Sequence, residues 1–279
     1  MADALLQQIR EIYRAVEAGD LDTIATHIAP DGFGMSGEAN GIFIGREPLA
    51  SELSGWLERT RPGSGLRLES TDLRVSLSAS GRSGWLWDQL RIGRAGEDAD
   101  IVVRITALVG LQGSTWQIIA AHWSVPISNE RTKALLKEGR LLIGRQLDDD
   151  ARPGAESLMR ALDAGIKEIT TYPALYSTAD EQVTIGSAVE EIFRGAAART
   201  GWQEFVGWGP KLSRRGGVRG GLTPDGMLGW LATHIDITFD LTTPYRFFYI
   251  WRLDGTEWNV IASHDSVSVD PRDELNGST

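Results

Sequence analysis

The sequence predicts an α+β protein made of two copies of one unit, and three blocks that recur in the same order support this prediction. The matching blocks are GWL at 84–86 and 229–231, WQIIAAHWSV at 116–125 and WNVIASHDSV at 258–267, and IFIG at 42–45 and IFRG at 192–195. The offset between copies falls from 150 to 142 residues along the chain, as expected if the second copy has slightly shorter loops.

The repeats divide the chain into four predicted segments. The first copy takes residues 1–128, a helical linker takes 129–150, the second copy takes 151–270, and a flexible polar tail takes 271–279. The linker is predicted to be helical because ERTKALLKEGRLLIG, residues 130–144, resembles a helix in composition and ends before an acidic, proline-containing stretch.

Each copy is predicted to begin with helices. Apolar residues with helical spacing open the first copy at Leu5, Leu6, Ile9, Ile12, Tyr13 and Val16. We expect Gly19 to end this helix and Asp20 to cap a second, short helix over Leu21–Ile28. A third helix is predicted around Pro48–Arg59.

Strands are predicted to follow the helices. Alternating apolar residues mark them at Leu66, Leu68, Leu73, Val75 and Leu77, at Leu86, Leu90 and Ile92, and at Val103, Ile105 and Ala107. Turns at Gln112-Gly113-Ser114 and Asp254-Gly255 precede the last strand of each copy. The stretch LSRRGGVRGGLTPDG, residues 212–226, lacks the signature of a phosphate-binding loop and is predicted to be a flexible hairpin loop. Helices first and strands afterwards favour an α+β fold over a βαβ fold.

The composition argues against several classes of function. The 279 residues include no cysteine, which excludes disulfides, thiolate catalysis and iron–sulfur clusters. A net charge of −10 argues against a nucleic-acid partner. The four scattered histidines lack metal-ligand spacing, so we expect no metal, and no motif indicates a cofactor. Because there is no signal-peptide pattern and no stretch near the roughly 18 apolar residues of a membrane span, we expect a cytoplasmic protein without a membrane partner.

Three stretches resemble the SnoaL-like branch of the nuclear-transport-factor-2-like superfamily, which includes ketosteroid isomerases and polyketide cyclases. They are AGDL at 18–21, IGSAVEEIFRG at 185–195 and LDGTEWNVIASHDSV at 253–267. The resemblance implies two fused cone-shaped units, each a curved antiparallel sheet whose N-terminal helices close a pocket. It does not imply a reaction, because the superfamily contains enzymes, adaptor domains and ligand-binding proteins.

One strand face in each copy is the predicted pocket lining. Alternate residues of a strand share a face, and Trp85, Trp87, Gln89 and Arg91 form the mixed aromatic and polar face that suits a ligand. In the related kinase-association domains, pocket positions correspond to Arg91 and Asp236, and a further one to Trp123 and Asp265. The predicted ligand-binding residues are Trp85, Trp87, Gln89, Arg91, Trp123 and Trp230.

Candidate catalytic groups occur in the second copy. His234 and Asp236 lie at i and i+2, so the carboxylate could orient the imidazole as an acid–base pair, with Asp265 nearby. The alternative is that His234 and Asp236 form a buried polar pair that fixes strand register. His122 and His264 occupy the same place in both copies, which favours a structural role near an interface.

Three functions follow as hypotheses. The first is binding of a small apolar or aromatic molecule without catalysis. The second is an isomerase- or cyclase-type enzyme that uses the acid–base groups of the second copy. The third is an oligomerisation scaffold, because exposed sheet faces favour association into a homo-oligomer. A variant of these is that one copy keeps a site while the other is structural.

Overall fold

The computed structural model describes residues 1–60, 66–94, 101–142 and 144–269. Within these residues the chain forms two units of the same kind, in each of which helices come first and a sheet follows. The predicted α+β class and the two fused units are confirmed. The predicted tail, 271–279, and residue 270 lie outside the described residues.

The two units have matching element orders. The first contains α1 (Ala2–Ala18), α2 (Leu21–Thr26), β1 (Ile28–Ser36), β2 (Ile42–Ile44), α3 (Arg46–Thr60), β3 (Leu66–Ser70), β4 (Arg74–Leu77), β5 (Ser83–Arg94), β6 (Ile101–Gln112) and β7 (Thr115–Ser124). Between the units lie α4 (Asn129–Lys137) and β8 (Asp150–Ala151). The second contains α5 (Glu156–Lys167), a 3₁₀ segment (Ile169–Leu175), β9 (Val183–Ile185), β10 (Ile192–Arg194), α6 (Ala196–Gly207), β11 (Lys211–Leu222), β12 (Leu228–Thr238), β13 (Thr242–Asp254) and β14 (Glu257–Val267).

Each unit has one seven-stranded sheet. The first has the order β2-β1-β7-β6-β5, with β3 and β4 both paired to the far side of β5, and the second has the order β10-β9-β14-β13-β12-β11-β8. Neighbouring strands are antiparallel except in the pairs β1–β7, β9–β14 and β8–β11, which are parallel. The sheets are therefore mainly but not wholly antiparallel, because the first strand of each unit returns alongside the last one in the same direction.

Local signals place the helix ends of the first unit. Gly19 adopts a left-handed conformation with φ of 66° and ends α1. The Asp20 carboxylate accepts a hydrogen bond of 3.1 Å from the Thr23 backbone and caps α2. This helix stops at Thr26, earlier than predicted, because the buried Ile28 already belongs to β1.

The linker helix is also shorter than predicted. Helix α4 ends at Lys137, and Gly139 follows with φ of 67°. From residue 140 to β8 the described residues have no regular structure and run along the second unit. Residue 143 lies outside the described residues. The Leu147 carbonyl accepts a hydrogen bond of 2.8 Å from the Gly217 backbone on the way. The backbone of this part of the linker therefore forms hydrogen bonds with β11 instead of forming them within a helix.

Most of the glycine-rich stretch forms a strand, so the prediction of a flexible hairpin loop is wrong for residues 212–222, whereas residues 223–226 lie in the turn that follows. It builds β11, which pairs with β12 along nearly its whole length and carries a bulge in the middle. Gly216 has φ of 71° at this bulge. A Cβ atom on Gly217 would lie 2.4 Å from backbone atoms of Asp148 and Asp149. The glycines thus allow the strand to bend and the linker to cross it closely.

The two sheets pack face to face. We call the face that a unit's own helices cover the inner face, and the face that contacts the sister sheet the outer face. Large buried residues of the outer faces include Phe33, Met35, Trp85, Trp87, Trp230 and Phe248. The rings of Phe33 and Trp230, from different units, stack with centroids 4.8 Å apart. Both faces of each sheet are therefore covered, and the inner faces form separate cores with the helices.

Two buried arginines join the units reciprocally. Arg104 donates to the carbonyl oxygens of Gly186 and Ala188, at 3.0 and 2.6 Å, and to that of Val189. Its equivalent Arg246, 142 residues later, donates to the carbonyl oxygen of Ala39 at 2.7 Å. Arg246 also donates to the carbonyl oxygens of Ser36 and Glu38. The acceptor loops are themselves equivalent, so each unit inserts one arginine into the same loop of the other.

Candidate functional site

The cavity of the first unit lies between the inner face of its sheet and its helices. Its volume is about 90 Å³. Its lining includes Ile9, Tyr13, Val16, Leu53, Leu86, Leu90, Ile92, Val103, Ile105, Trp116, Ile118 and Trp123. Apart from the two tryptophans, the polar side chains among the described lining residues are those of Tyr13 and Gln8, so the cavity suits an apolar occupant.

A buried carboxyl group lies beside this cavity. Asp88 on β5 is completely buried and accepts hydrogen bonds from the Tyr13 hydroxyl at 3.0 Å and the Ser70 hydroxyl at 3.1 Å. The backbone of Asp72 donates a third, at 3.4 Å. Burial raises the pKa of Asp88, and these hydrogen bonds oppose the rise. The carboxyl group is therefore well supplied with donors inside the protein.

The cavity of the second unit is larger, at about 150 Å³. Aromatic residues dominate its lining, which includes Phe193, Trp202, Phe205, Trp208, Tyr245 and Phe247, together with Thr184, Ser187, Glu191, Ile237 and Asp265. Helix α6 supplies one wall through Trp202 and Phe205. Trp208, just after α6, is 71% exposed. The aromatic cluster therefore runs from the cavity wall to the protein surface.

Asp265 is the carboxyl group of this second cavity. It lies on β14, and its side chain is buried with 7% of the residue exposed. Burial, and then the negative charge of Glu191, raise its pKa well above the usual range, while the positive charge of Arg104 and a backbone hydrogen bond at Ser187 oppose the rise. Asp265 therefore favours the protonated form, in which it can donate a hydrogen bond into the cavity.

Three buried tyrosines form a hydroxyl cluster in the same core. The Tyr172 and Tyr249 hydroxyls lie 2.6 Å apart, and the Tyr176 hydroxyl donates to that of Tyr172 at 3.5 Å. Burial raises the pKa of all three. They therefore stay protonated and supply a polar region within an otherwise aromatic core.

The two units carry their buried carboxyl groups on different strands. Cross-strand pairing aligns Asp88 with Ile105 and Trp123 in the first sheet. The equivalent row in the second sheet is Thr233, Phe247 and Asp265. Asp88 thus corresponds to Thr233, and Asp265 corresponds to Trp123. The cavities are chemically different, although the folds that enclose them match.

The structure separates the three predicted catalytic residues. Asp236 is held by Arg215 through hydrogen bonds of 2.8 and 2.7 Å, and the His234 Nε2 atom accepts from Arg246 at 3.3 Å. Burial, then the charge of Arg246, lower the pKa of His234 to about 4. Both residues alternate along β12 with the inner-face residue Ile235, whereas Asp265 lines the inner cavity. The structure therefore places His234 and Asp236 with arginine partners on one face of the sheet and Asp265 on the other.

The predicted ligand-binding residues also divide between the faces. Trp123 lines the cavity of the first unit, and its ring stacks on Phe43 with centroids 5.8 Å apart. Trp85, Trp87 and Trp230 lie instead on the outer faces, in the core between the sheets. Gln89 is half-buried, Arg91 is exposed, and neither lines a described cavity. The choice of the Trp85 face as the cone lining is corrected, because the alternate face with Leu86 and Leu90 meets the helices.

Sequence reasoning missed Asp88 and Tyr13 as site residues. Asp88 is a charged residue within an otherwise apolar row of one strand face, Leu86, Leu90 and Ile92. A lone carboxylate within such an apolar row was the available signal, since burial of a charge requires partners. The tyrosine cluster of the second unit could not be predicted in this way, because no sequence pattern relates Tyr249 to Tyr172 and Tyr176.

Two further findings concern the chemistry of the chain. Within the ranges that the structure describes, no group of three or more His, Asp or Glu side chains is arranged to hold a metal ion. In the same ranges, no helix is long and apolar enough to cross a membrane.

Comparison with known proteins identifies the first unit. Residues 5–128 match the SnoaL-like domain family. No curated protein matches the chain. A solved NTF2-like protein of unknown function from Pseudomonas putida is 23% identical, with 45% of this chain and 87% of that one covered and a TM-score of 0.40. An NTF2-like protein with a cystatin-like fold from Novosphingobium aromaticivorans is 14% identical, with 48% and 88% covered and a TM-score of 0.40.

A third solved structure, an uncharacterised protein with a cystatin-like fold from Caulobacter vibrioides, is 17% identical, with 48% of this chain and 94% of that one covered and a TM-score of 0.38. Each of these likenesses spans about half of the chain. The second unit repeats the order and the pairing of the strands found in residues 5–128. The SnoaL-like match thus covers the first of two fused units that share one strand order.

Proposed function

We propose that the protein binds a small apolar or aromatic molecule with a hydrogen-bond acceptor in the cavity of the second unit. The observation that carries this proposal is Asp265, a buried carboxyl group in a wall whose largest side chains are aromatic and which also includes Glu191. Ligand pockets typically combine such an apolar lining with a few placed polar groups.

The size of the cavity limits the ligand to about one ring. The volume is about 150 Å³, and an apolar cavity of roughly that volume holds benzene. The cavity of the first unit is smaller, at about 90 Å³, and the Asp88 carboxyl group beside it already accepts three hydrogen bonds within the protein. This contrast favours the second unit as the one that keeps a site.

The burial that raises the pKa of Asp265 favours a ligand atom that accepts a hydrogen bond. A protonated carboxyl group donates through its O–H, whereas a carboxylate only accepts. A carbonyl oxygen on a ring-sized molecule is therefore the matching group. Such a hydrogen bond contributes about 0.5–1.5 kcal/mol, which corresponds to a preference of roughly two- to tenfold.

The test compares acetophenone with ethylbenzene, which has a similar shape but no acceptor. We expect calorimetry to show that the full chain binds acetophenone about threefold or more tightly. In Asp265→Leu this preference is lost, while Asp88→Asn, a substitution of the buried carboxyl group beside the other cavity, retains it. Equal binding of the two compounds by the unmodified protein, or no binding of either, would contradict the proposal.

Proton transfer of the isomerase or cyclase type is a second candidate function. The raised pKa of Asp265 favours it, because an effective general acid or base has a pKa near the working pH. His234 and Asp236 do not support it, since they lie on the outer face with arginine partners. Exchange of the acetophenone methyl protons in D₂O, followed by NMR, tests it: acceleration by the unmodified protein but not by Asp265→Asn would support catalysis.

The scaffold hypothesis is less well supported. The sheet faces that we expected to drive homo-oligomer formation are the outer faces, and they already pack against each other within one chain. Each fused pair of units therefore supplies its own partner. Sedimentation of the full chain would test this reasoning, because a stable homo-oligomer would require another surface.

A further inference from the structure

Two grooves lie at opposite edges of the boundary between the units and are lined by equivalent residues of the repeat. One groove contains a segment of the chain, and the other is open. In the first, which we call the linker groove, strand β8 lies between β11 and the residues Asp31, Phe33 and Ile44 of the first unit. A space of only about 10 Å³ is left there. The linker itself thus fills this groove.

Residues 150–152, at the junction of the linker and the second unit, make the contacts. The backbone of Arg152 donates to the Gly220 carbonyl at 3.2 Å, so the linker adds a strand to the edge of β11. Asp150 forms an ion pair of 2.8 Å with Arg219. Arg152 forms an ion pair with Asp31 of the first unit. The bound segment therefore reads acidic, small, basic: Asp150-Ala151-Arg152.

The second groove, which we call the open groove, has a volume of about 400 Å³. Arg74, Val75, Trp85, Trp87, Glu181 and Arg194 are among its lining residues. Strand β4 pairs with β5 on one side, and no strand of the described ranges pairs with its other side. An unpaired strand edge beside a cavity can accept an additional strand.

Strand register makes the two grooves equivalent residue by residue. Arg74 and Val75 pair with Trp87 and Leu86 of β5. Arg219 and Gly220 pair with the equivalent positions of β12. Arg74 therefore corresponds to Arg219, which binds the acidic residue of the linker.

The acidic side of the groove is equivalent as well. Phe33 and Val183 pair with Ala120 and Ala262, which occupy the same place in the last strand of each unit. Counting two residues back from Phe33 and Val183 reaches Asp31 and Glu181. Glu181 of the open groove thus corresponds to Asp31, which binds the basic residue of the linker.

The charges of the open groove suit the same kind of segment. Arg74 and Arg194 both form ion pairs with the carboxylate of Asp72, and the acidic residues Asp180 and Glu181 also line the groove, so it offers groups of both signs. The Arg194 guanidinium also lies over the Trp87 ring, 5.1 Å from its centroid. Glu181 supplies the negative charge and is joined to Arg252 at the boundary of the groove.

We propose that the open groove binds an extended peptide segment of the pattern acidic–small–basic, which adds to β4 as a further strand. Its backbone pairs with Val75 as the linker pairs with Gly220. Its acidic side chain meets Arg74, and its basic side chain meets Glu181. This is peptide recognition by strand addition, in which main-chain hydrogen bonds supply affinity and the flanking charges supply specificity.

The experiment uses the full chain, labelled with ¹⁵N, and a capped synthetic peptide LDDDARP, which copies residues 147–153. We expect saturable shifts of the Val75 and Ser76 amides and of the Trp87 indole N–H. The peptide LDDRADP, in which the two charges are exchanged, binds about fivefold or more weakly. Absence of shifts up to millimolar peptide overturns the proposal. So does equal binding of both peptides, or shifts confined to Gly220 and its neighbours.

Charge reversal identifies the groove residues. Arg74→Glu weakens binding of LDDDARP about fivefold or more, while Arg67→Glu, the same change on the neighbouring edge strand β3, leaves it unchanged. In the double variant Arg74→Glu with Glu181→Arg, the preference inverts and LDDRADP binds better. The amide spectrum of each variant reports whether it is folded. Unchanged binding by a folded Arg74→Glu protein overturns the assignment.

Discussion

The imidazole rings of His122 and His264 lie edge to face across the boundary between the units, with centroids 4.3 Å apart. Each ring is hydrogen bonded to a serine of the other unit: Ser266 to His122 at 3.1 Å, and Ser124 to His264 at 2.9 Å. The histidines are equivalent in the repeat, and so are the serines. The fused units therefore meet as the two halves of a twofold dimer do.

Stability should depend on pH through these histidines. Burial lowers the pKa of His264 well below its usual range, with the charges of His122 and Arg104 contributing, so the folded protein keeps this ring neutral. The unfolded chain protonates it below about pH 6.5. The stabilising contribution is thus fully present above that pH and is lost as the pH falls. Between pH 7 and pH 5 we expect the unmodified protein to lose about 2 kcal/mol more than His264→Gln.

Urea unfolding of both proteins at the two pH values measures this difference. Asp88 and Asp265, whose raised pKa values act in the opposite direction, contribute equally to both proteins and cancel. Parallel pH profiles would show that His264 titrates in the folded protein as it does in the unfolded chain.

The reciprocal arginines should carry much of the stability of the unit boundary. Arg246→Met removes the donors to the carbonyl oxygens of Ser36, Glu38 and Ala39 and leaves these groups buried without them. We expect a loss of about 3 kcal/mol in the free energy of unfolding. Urea denaturation followed by tryptophan fluorescence measures the loss.

Two further variants serve as comparisons. Arg104→Met should cost a similar amount, because it inserts into the equivalent loop of the other unit. Arg67→Met, at an exposed position, should change stability by less than about 0.5 kcal/mol. An effect of Arg246→Met as small as that of Arg67→Met would be inconsistent with the buried contacts.

Local sequence signals predicted the parts of the fold that depend on a few neighbouring residues. Gly19 and Asp20 predicted the end of α1 and the start of α2, because capping requires only those side chains and backbone angles. The repeats predicted the two units, since residues at equivalent positions are needed to form the same strands and turns in each unit.

The site was less predictable, for two physical reasons. Alternation tells which residues of a strand share a face but not which face is inside, and both faces of β5 are apolar because each is covered. The partners of His234 and Asp236 were also hidden. Arg246 and Arg215 lie 12 and 21 residues away in sequence and reach them only through strand pairing.

Asp225 should act as a clamp between the units. Its carboxylate, in the β11–β12 turn, accepts hydrogen bonds from three serines of the first unit: Ser78 at 3.0 Å, Ser80 at 2.5 Å and Ser83 at 2.7 Å. We expect Asp225→Ala to lower the free energy of unfolding by about 2 kcal/mol, because Ser83 is completely buried and loses its acceptor.

A double-mutant cycle of Asp225→Ala with Ser83→Ala should give a coupling energy of about 1 kcal/mol. The pH dependence adds a second readout. The serine and threonine hydrogen bonds lower the pKa of Asp225 to about 2 against the opposing effect of burial. Its contribution is therefore present above the unfolded pKa near 3.8 and is lost as the pH falls towards 2. Additive single effects in the cycle would mean that the clamp does not exist in solution.

The crossing of the linker over β11 should be intolerant of a single methyl group. In Gly217→Ala the new Cβ would lie 2.4 Å from backbone atoms of Asp148 and Asp149, which cannot move aside as a side chain can. We expect a loss of about 2 kcal/mol or more in thermal or urea unfolding. Gly207→Ala is the matched control: its Cβ meets nothing within 4 Å at the end of α6, so it should stabilise by about 0.5 kcal/mol. If the two variants were equally stable, the linker would not be held against β11, and β8 would not occupy the linker groove in solution.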